Sequence, residues 1–286
     1  MMKISLYDKE FEHIKNPTSY CGYDSPANIE WNRDGNDEIA AFTERCFDYE
    51  IINKCTSKTK ICWPLESPFI HPLAYEWTRD NWQIFDYVMT FDEELMRRIP
   101  KSKTIFWSPG GSWIWRKDWA IYPKNKNVSI VAGMKRMTEG HKLRHEVIAR
   151  IGDRFDMVCG YGRNPVEPKM DIFKDYRFTV VIENCKRNWY WTDKLVDPML
   201  CGTVPIFWGC PAIGDYFDAR GILTFDTTEE LAKILSTLDV EHYESLRPYI
   251  EENFRRAQKF AIVEDYMYNS FFKQFDKASD DIRSGL

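Results

Sequence analysis

A chain of 286 residues, 44% apolar and 29% charged, has the composition of a globular protein with room for two ordinary domains or one large one. Its formal net charge of −5 supplies no global attraction to polyanions, which argues against nucleic acid as a partner and makes any phosphate site a local one. No apolar stretch approaches the roughly 18 residues of a membrane span, and the first ten residues lack a signal-peptide core, so the expectation is a soluble, cytoplasmic protein without a transmembrane segment.

Short apolar, β-branched or aromatic runs alternate with amphipathic segments, which is the α/β pattern. In chain order, strands are predicted at Lys3–Tyr7, Thr59–Trp63, Tyr87–Phe91 and Thr104–Trp107. A Pro/Lys/Asn-rich stretch, residues 122–127, then reads as a linker. A strand at Val128–Ala132 follows, and then a helix entered after Thr138, striped by Leu143, Val147 and Ile151 and stopped at Gly152. Further strands fall at Met157–Cys159, Phe178–Ile182, Val204–Trp208 and Ile222–Phe225. A helix from Thr227–Thr228 carries Leu231, Ile234 and Leu235, and a last helix runs from about Glu241 through Phe254 towards Phe272. Most strands lack strict alternation, as strands covered on both faces of a parallel sheet do. The reading is two parallel-sheet domains facing a cleft, residues 1–123 and 127–286, with packing of the last helix back onto the first domain as an option.

The 8 cysteines form no CxxC pair and read as buried free thiols. The aromatic residues, Trp 11, Tyr 15 and Phe 18, suit sugar stacking but serve core filling first. The turn at Pro109–Trp113 is explained by turn chemistry, and His141 with His145 lacks a third zinc ligand, so no metal site is expected; the two histidines read as solvated helix or as neighbours of a phosphate.

The densest chemistry lies between Phe178 and Gly209. An apolar strand ends in Glu183-Asn184, at the carboxyl edge where α/β sheets bind ligands. A polar, aromatic loop containing Lys186, Arg187 and Tyr190 follows, and Thr192 offers an N-cap that sets Asp193 and Lys194 in a first helical turn. A lysine at the positive end of a helix is electrostatically misplaced unless an anion such as a diphosphate sits there; the alternative is an exposed lysine beside a capping aspartate.

This stretch resembles the donor-binding signature of glycosyltransferase family 10, the α1,3/α1,4-fucosyltransferases, of the bacterial or viral soluble type. The matching positions are Glu183, Asn184, Tyr190, Thr192, Lys194, Pro205 and Gly209. Upstream, Ile61 to Pro68 resembles the family's strand followed by Glu-Ser-Pro, Phe85 to Glu93 resembles its second first-domain signature, and Lys142 to Ile148 is similar to the helix whose arginine reaches the donor diphosphate. The likeness covers roughly residues 59–225.

The resemblance implies a GT-B fold of two Rossmann-like domains and an inverting, metal-independent transfer of L-fucose from GDP-fucose to a hydroxyl of a galactose- or N-acetylglucosamine-type glycan. No cofactor is implied, and a divalent cation at most stimulates. The base carries over to Glu66, the phosphate contacts to Arg144 and Lys194, and donor-pocket roles to Asp193, Thr192, Tyr190, Asn184 and Glu183, the last with a structural role as its rival. The alternatives are a different nucleotide-sugar donor or a non-catalytic nucleotide-sugar- or glycan-binding protein. Two departures stand out. Asp193 takes the place of the family's glutamate, shortening by one methylene a group expected to contact donor hydroxyls. Pro198 is expected to shorten or bend the helix after Lys194. The sequence leaves oligomeric state open.

Overall fold

The computed structural model describes residues 1–9, 24–108, 110–160 and 166–276, apart from the side chain of Cys159. The chain divides into two units, Met1–Pro109 with Ile262–Leu286, and Gly110–Ala261.

The first unit is built on β1 (Met2–Tyr7), β2 (Ile29–Asn32), β3 (Ile39–Phe42), β4 (Thr59–Cys62), β5 (Tyr87–Thr90) and β6 (Thr104–Phe106). They form one parallel sheet in the order β2-β1-β3-β4-β5-β6. The crossovers carry α1 (Tyr49–Lys54), α2 (Pro72–Asn81) and α3 (Glu93–Arg98). α1 and α3 start as their sequences dictate, with Asp48 and Asp92 accepting first-turn amides. Ala40, Phe42, Cys62, Phe85, Val88 and Leu95 meet in the core of this unit.

In the second unit, β7 (Lys126–Ala132), β8 (Asp156–Gly160), β9 (Tyr176–Ile182), β10 (Val204–Trp208) and β11 (Leu223–Thr224) make a parallel sheet ordered β11-β10-β9-β7-β8. Its helices are α4 (Glu139–Ile151), α5 (Asp193–Leu200), α6 (Thr228–Leu235), α7 (Val240–Ser245) and α8 (Arg247–Phe260). Both faces of the sheet are covered. Val147, Leu231 and Tyr243 lie in one apolar layer, and Leu195, Met199 and Ala257 in another. That double cover is why β9 and β10 read as continuous apolar runs. α5 is short, eight residues with Pro198 inside it.

The unit boundary falls earlier than the 122–127 linker expected from composition, for a physical reason. Lys124 is sewn into the second unit, its Nζ donating to Cys201 O at 2.7 Å, Thr203 Oγ1 at 2.9 Å and Lys174 O at 3.0 Å. Further upstream, Ala120 N donates to Leu200 O at 3.1 Å, and Ser112 Oγ to Asp197 Oδ1 at 2.7 Å. A lysine in a Pro/Asn-rich run looks like solvated linker; here burial pulls its pKa down to about 7.

The single long terminal helix of the sequence reading is broken into segments. Pro248, at the start of α8, separates it from α7. After Ile262 the chain enters the first unit through α9 (Val263–Met267). There the enclosed Glu264 accepts from Trp31 Nε1 at 2.8 Å, and Asp265 Oδ1 accepts from Ala27 N at 2.8 Å. Among the described residues, no helix is long and apolar enough to cross a membrane.

Candidate active site

In a doubly wound sheet the strand order reverses at one point, and the carboxyl ends of the strands flanking it leave a crevice. In the second unit that point lies between β7 and β9, since β8 follows β7 outward on one side and β10 follows β9 on the other. A cavity of about 230 Å³ opens there, lined by Val131 and Gly133 at the end of β7, Thr179 to Ile182 of β9, and the charged side chains Arg144, Lys169, Asp193 and Lys194.

Arg144 is placed by α4. Thr138 caps this helix and the His141 ring closes the cap by accepting from Thr138 N at 3.3 Å. Burial and the neighbouring Arg144 pull the His141 pKa down to about 4, which keeps the ring neutral and able to accept. His141 and His145 are both buried, so the solvated-helix expectation for them is corrected: they brace the helix start, His145 Nε2 lying 3.2 Å from Lys135 O. About one and a half turns of helix bring the Arg144 guanidinium to the end of β9, where Nε donates to Ile182 O at 2.9 Å, and Nη2 to Ile182 O and to Asn184 Oδ1. These acceptors are neutral. Burial lowers the Arg144 pKa while Glu183 opposes the shift, and an arginine so placed stays charged.

Lys194 is placed by the start of α5. Thr192 Oγ1 accepts from Lys194 N at 3.3 Å and from Lys194 Nζ at 3.1 Å. Glu183 stands behind, fully enclosed, its oxygens taken by Thr192 N at 2.8 Å and Thr192 Oγ1 at 3.0 Å, with Lys194 Nζ at 3.6 Å. Burial pushes the Glu183 pKa up, which favours its neutral form. Glu183 therefore braces the loop and lies outside the cavity lining, the structural alternative of the sequence reading. Tyr190 is buried as well; its hydroxyl lies 3.5 Å from Asn184 Nδ2, and Asn184 supports Arg144. Of the expected donor residues, Arg144, Lys194 and Asp193 line the cavity, while Thr192, Asn184, Tyr190 and Glu183 form the frame around them.

Sequence reasoning missed Lys169. Its Nζ lies 2.6 Å from Asp193 Oδ2 and 2.5 Å from Asp197 Oδ2. Burial works against its charge, but the two carboxylates hold its pKa above the ordinary lysine value, and Lys169 with Lys194 holds Asp193 down at about 2 despite burial. A signal was available: Asp193 and Asp197 stand four apart on one helix face, a repulsive pair that calls for a cation from elsewhere in the chain. Asp197 also accepts from Ser112 Oγ and, at 3.1 Å, from Trp113 N, so the Gly110–Trp113 turn is a structural anchor. Asp193 is thus tethered sideways to Lys169. Lys169 is outweighed by its two partners, and the positive charge facing the cavity is chiefly that of Arg144 and Lys194. Lys186, the extra loop cation, is paired with Asp226.

Glu66 belongs to the first unit, in the loop that follows β4 at the carboxyl edge of that sheet. It is half-buried, and its carbonyl accepts from Tyr75 Oη at 2.7 Å.

In two-sheet α/β proteins the crevice at a strand-order switch point is where ligands bind, and here two cations, Arg144 and Lys194, line it. Residues 121–267 match the family model described as glycosyltransferase family 10 (fucosyltransferase), C-terminal part. The match spans just over half of the chain, and the chain belongs to this family. The chain is also 31% identical over 84 residues to GDP-fucose protein O-fucosyltransferase 3 of Gallus gallus, covering 28% of this chain and 18% of that protein. It is 28% identical over 78 residues to the α-(1,3)-fucosyltransferase FucT of Helicobacter pylori, covering 25% and 16%. The aligned segments thus span less than a fifth of either relative. Among solved structures, an α1,3-fucosyltransferase is similar with a TM-score of 0.56 at 16% identity, covering 90% of this chain and 82% of that one. An α-glucosyltransferase, solved with UDP-glucose and DNA containing an abasic site, is similar with a TM-score of 0.51 at 12% identity, covering 85% and 80%. The fold is the GT-B type of glycosyltransferases.

Proposed function

We propose that the chain is an inverting fucosyltransferase that moves L-fucose from GDP-fucose to a hydroxyl of a galactose- or N-acetylglucosamine-type glycan. The observation that carries this reading is the convergence of Arg144 and Lys194 on one cavity at the β7/β9 switch point of a family 10 chain. In the proposed step the Glu66 carboxylate takes the proton of the acceptor hydroxyl as its oxygen bonds to C1 of the fucose. The bond from C1 to the phosphate oxygen breaks, and GDP leaves with the electron pair. The Arg144 fork and the Lys194 point charge meet the charge that develops on the diphosphate, a task that other transferases give to a metal ion. Their presence supports a reaction that needs no divalent cation. The buried free thiols of Cys55, Cys62, Cys201 and Cys210 support a reducing, cytoplasmic setting.

One observation favours a second donor sugar. Asp193 is a methylene shorter than the family's glutamate and is tied to Lys169, so the sugar end of the cavity offers an ammonium beside a carboxylate. A related nucleotide sugar with its hydroxyls set for that pair remains the second reading.

The test is GDP release with GDP-fucose and a panel of galactose- and N-acetylglucosamine-containing acceptors. Wild type is expected to release GDP only with an acceptor present, and Glu66→Gln to lose turnover while still binding GDP. Release from another nucleotide sugar but none from GDP-fucose shifts the reading to that donor. Loss of GDP binding together with turnover in Glu66→Gln removes the base assignment.

A further inference from the structure

Glu44 is a buried acid in the first unit for which the proposed reaction has no use. It follows β3 directly, in a single helical turn at Glu44–Cys46, and is 7% exposed. β3 and β4 are neighbours in register, and Trp63 N donating to Phe42 O at 2.8 Å continues their pairing to the carboxyl edge. From that edge Glu44 Oε1 accepts from Leu65 N at 2.5 Å and from Glu66 N at 2.6 Å. Its other oxygen, Oε2, is buried and makes no hydrogen bond among the described residues. The Glu66 carbonyl is held independently by Tyr75 on α2.

The Glu66 main chain is therefore gripped on both sides, by a carboxylate at its amide and by a phenol at its carbonyl. Burying a carboxyl group with one oxygen unpartnered among the described residues is costly, so the two amide contacts are held against that cost. The place is also informative. The strand order of the first sheet reverses between β1 and β3, so the end of β3 flanks that sheet's own crevice.

We infer that Glu44 is a positioning residue, which fixes the loop carrying Glu66 so that the Glu66 carboxylate is aimed at the acceptor hydroxyl. The inference rests on the proposed reaction and deepens it. Reach is what matters in this arrangement: the contacts need an oxygen at the end of a two-methylene stem, and an amide oxygen supplies the same acceptor. Burial agrees with a role that does not need the charge, since it pushes the Glu44 pKa up to about 8.

Four variants test this: Glu44→Gln, Glu44→Asp, Glu66→Gln and the double variant Glu44→Asp with Glu66→Gln. Glu44→Gln keeps reach and an acceptor oxygen, so its kcat is expected within about threefold of wild type. Glu44→Asp keeps the carboxyl group and loses reach; a displacement of about 1 Å at the base predicts a fall in kcat of ~10–100-fold with the GDP dissociation constant unchanged. In the Glu66→Gln background the added Glu44→Asp change is expected to cost nothing further, because the group being aimed is gone. The inference is overturned if Glu44→Asp is as active as wild type, if it weakens GDP binding in parallel with turnover, or if its loss persists in full in the Glu66→Gln background. Full activity in Glu66→Gln itself removes the base assignment, and with it this inference. Normal Glu44→Asp activity alongside a dead Glu66→Gln removes only the role of Glu44.

Discussion

Gly140 is the position where a single methyl group should separate the integrity of the candidate site from general stability. It is the second residue of α4, and its amide donates to Asn184 O at 3.1 Å. A Cβ there would lie 1.8 Å from Glu183 O, 2.9 Å from Glu183 C and 3.0 Å from Asn184 C. All three are main-chain atoms, so no side chain can swing aside, and relief to an ordinary contact needs a shift of more than about 1 Å between α4 and the end of β9. Overpacking of this kind costs ~1–3 kcal/mol, of which alanine's better helix propensity returns less than about 1 kcal/mol. The unfolding midpoint should fall by roughly 4–8 °C. The larger effect falls on the site. Arg144 is one turn along α4 and its two-nitrogen grip on Ile182 O depends on that approach. Glycine-to-alanine at 140 should therefore weaken GDP binding by about tenfold or more, ~1.4 kcal/mol, read by calorimetric titration. Gly214→Ala is the control: it lies outside the cavity lining, and an added Cβ there meets its nearest atom, on Ala219, at an ordinary 3.8 Å. If Gly140→Ala melts and binds GDP as Gly214→Ala does, the argument that the α4 start is clamped on the Glu183–Asn184 peptide is wrong.

Two further outcomes follow from buried charge. Lys169→Met leaves the fully enclosed Asp197 and its neighbour Asp193 without their shared cation, and should destabilise by roughly 3 kcal/mol in denaturant unfolding. Adding Asp197→Asn should return part of that loss, and strict additivity of the two changes would contradict a shared cluster. Glu44 gives a pH dependence. Its folded pKa of about 8 stands above the ordinary 4.5, so the unfolded chain ionises first: the contribution of Glu44 to stability is full below pH 4.5, falls as pH rises towards 8 and is level beyond. At ~1.4 kcal/mol per pKa unit the decline amounts to a few kcal/mol, and Glu44→Gln should remove it. Equal denaturation midpoints at pH 5 and pH 8 in wild type, after allowance for the Glu44→Gln baseline, would count against it.

Much of the second unit was legible because its signals are local. The apolar runs that became β7, β9 and β10 need no partner to be recognised, and the Thr138 and Thr192 caps announce α4 and α5. β2 and β3 escaped notice. Each is four residues long, and Ile39–Phe42 holds two alanines, too little period or β-branching to stand out. Arg144, Asp193 and Lys194 were readable as a motif, whereas Lys169 was not: its partners lie 24 and 28 residues away, and only the fold brings them together. Glu44 is hidden for the same reason, since its contacts are made across adjacent strands. The long terminal helix misled because α7, α8 and α9 keep a helical period through breaks at Leu246 and Ile262.

The central claim is that Arg144 and Lys194 together hold a nucleoside diphosphate. Lys194 is one-third exposed; Lys194→Met removes its charge and the ion pair it makes with the enclosed Glu183, so some loss of stability accompanies the change. Titrating GDP into both proteins in a calorimeter, well below either melting point, should give saturable, salt-sensitive binding for wild type. For the folded variant, affinity should fall ~10–100-fold, the worth of a hydrogen bond to a charged group. Equal affinity in the two proteins, or no heat from wild type with GDP, would contradict the account.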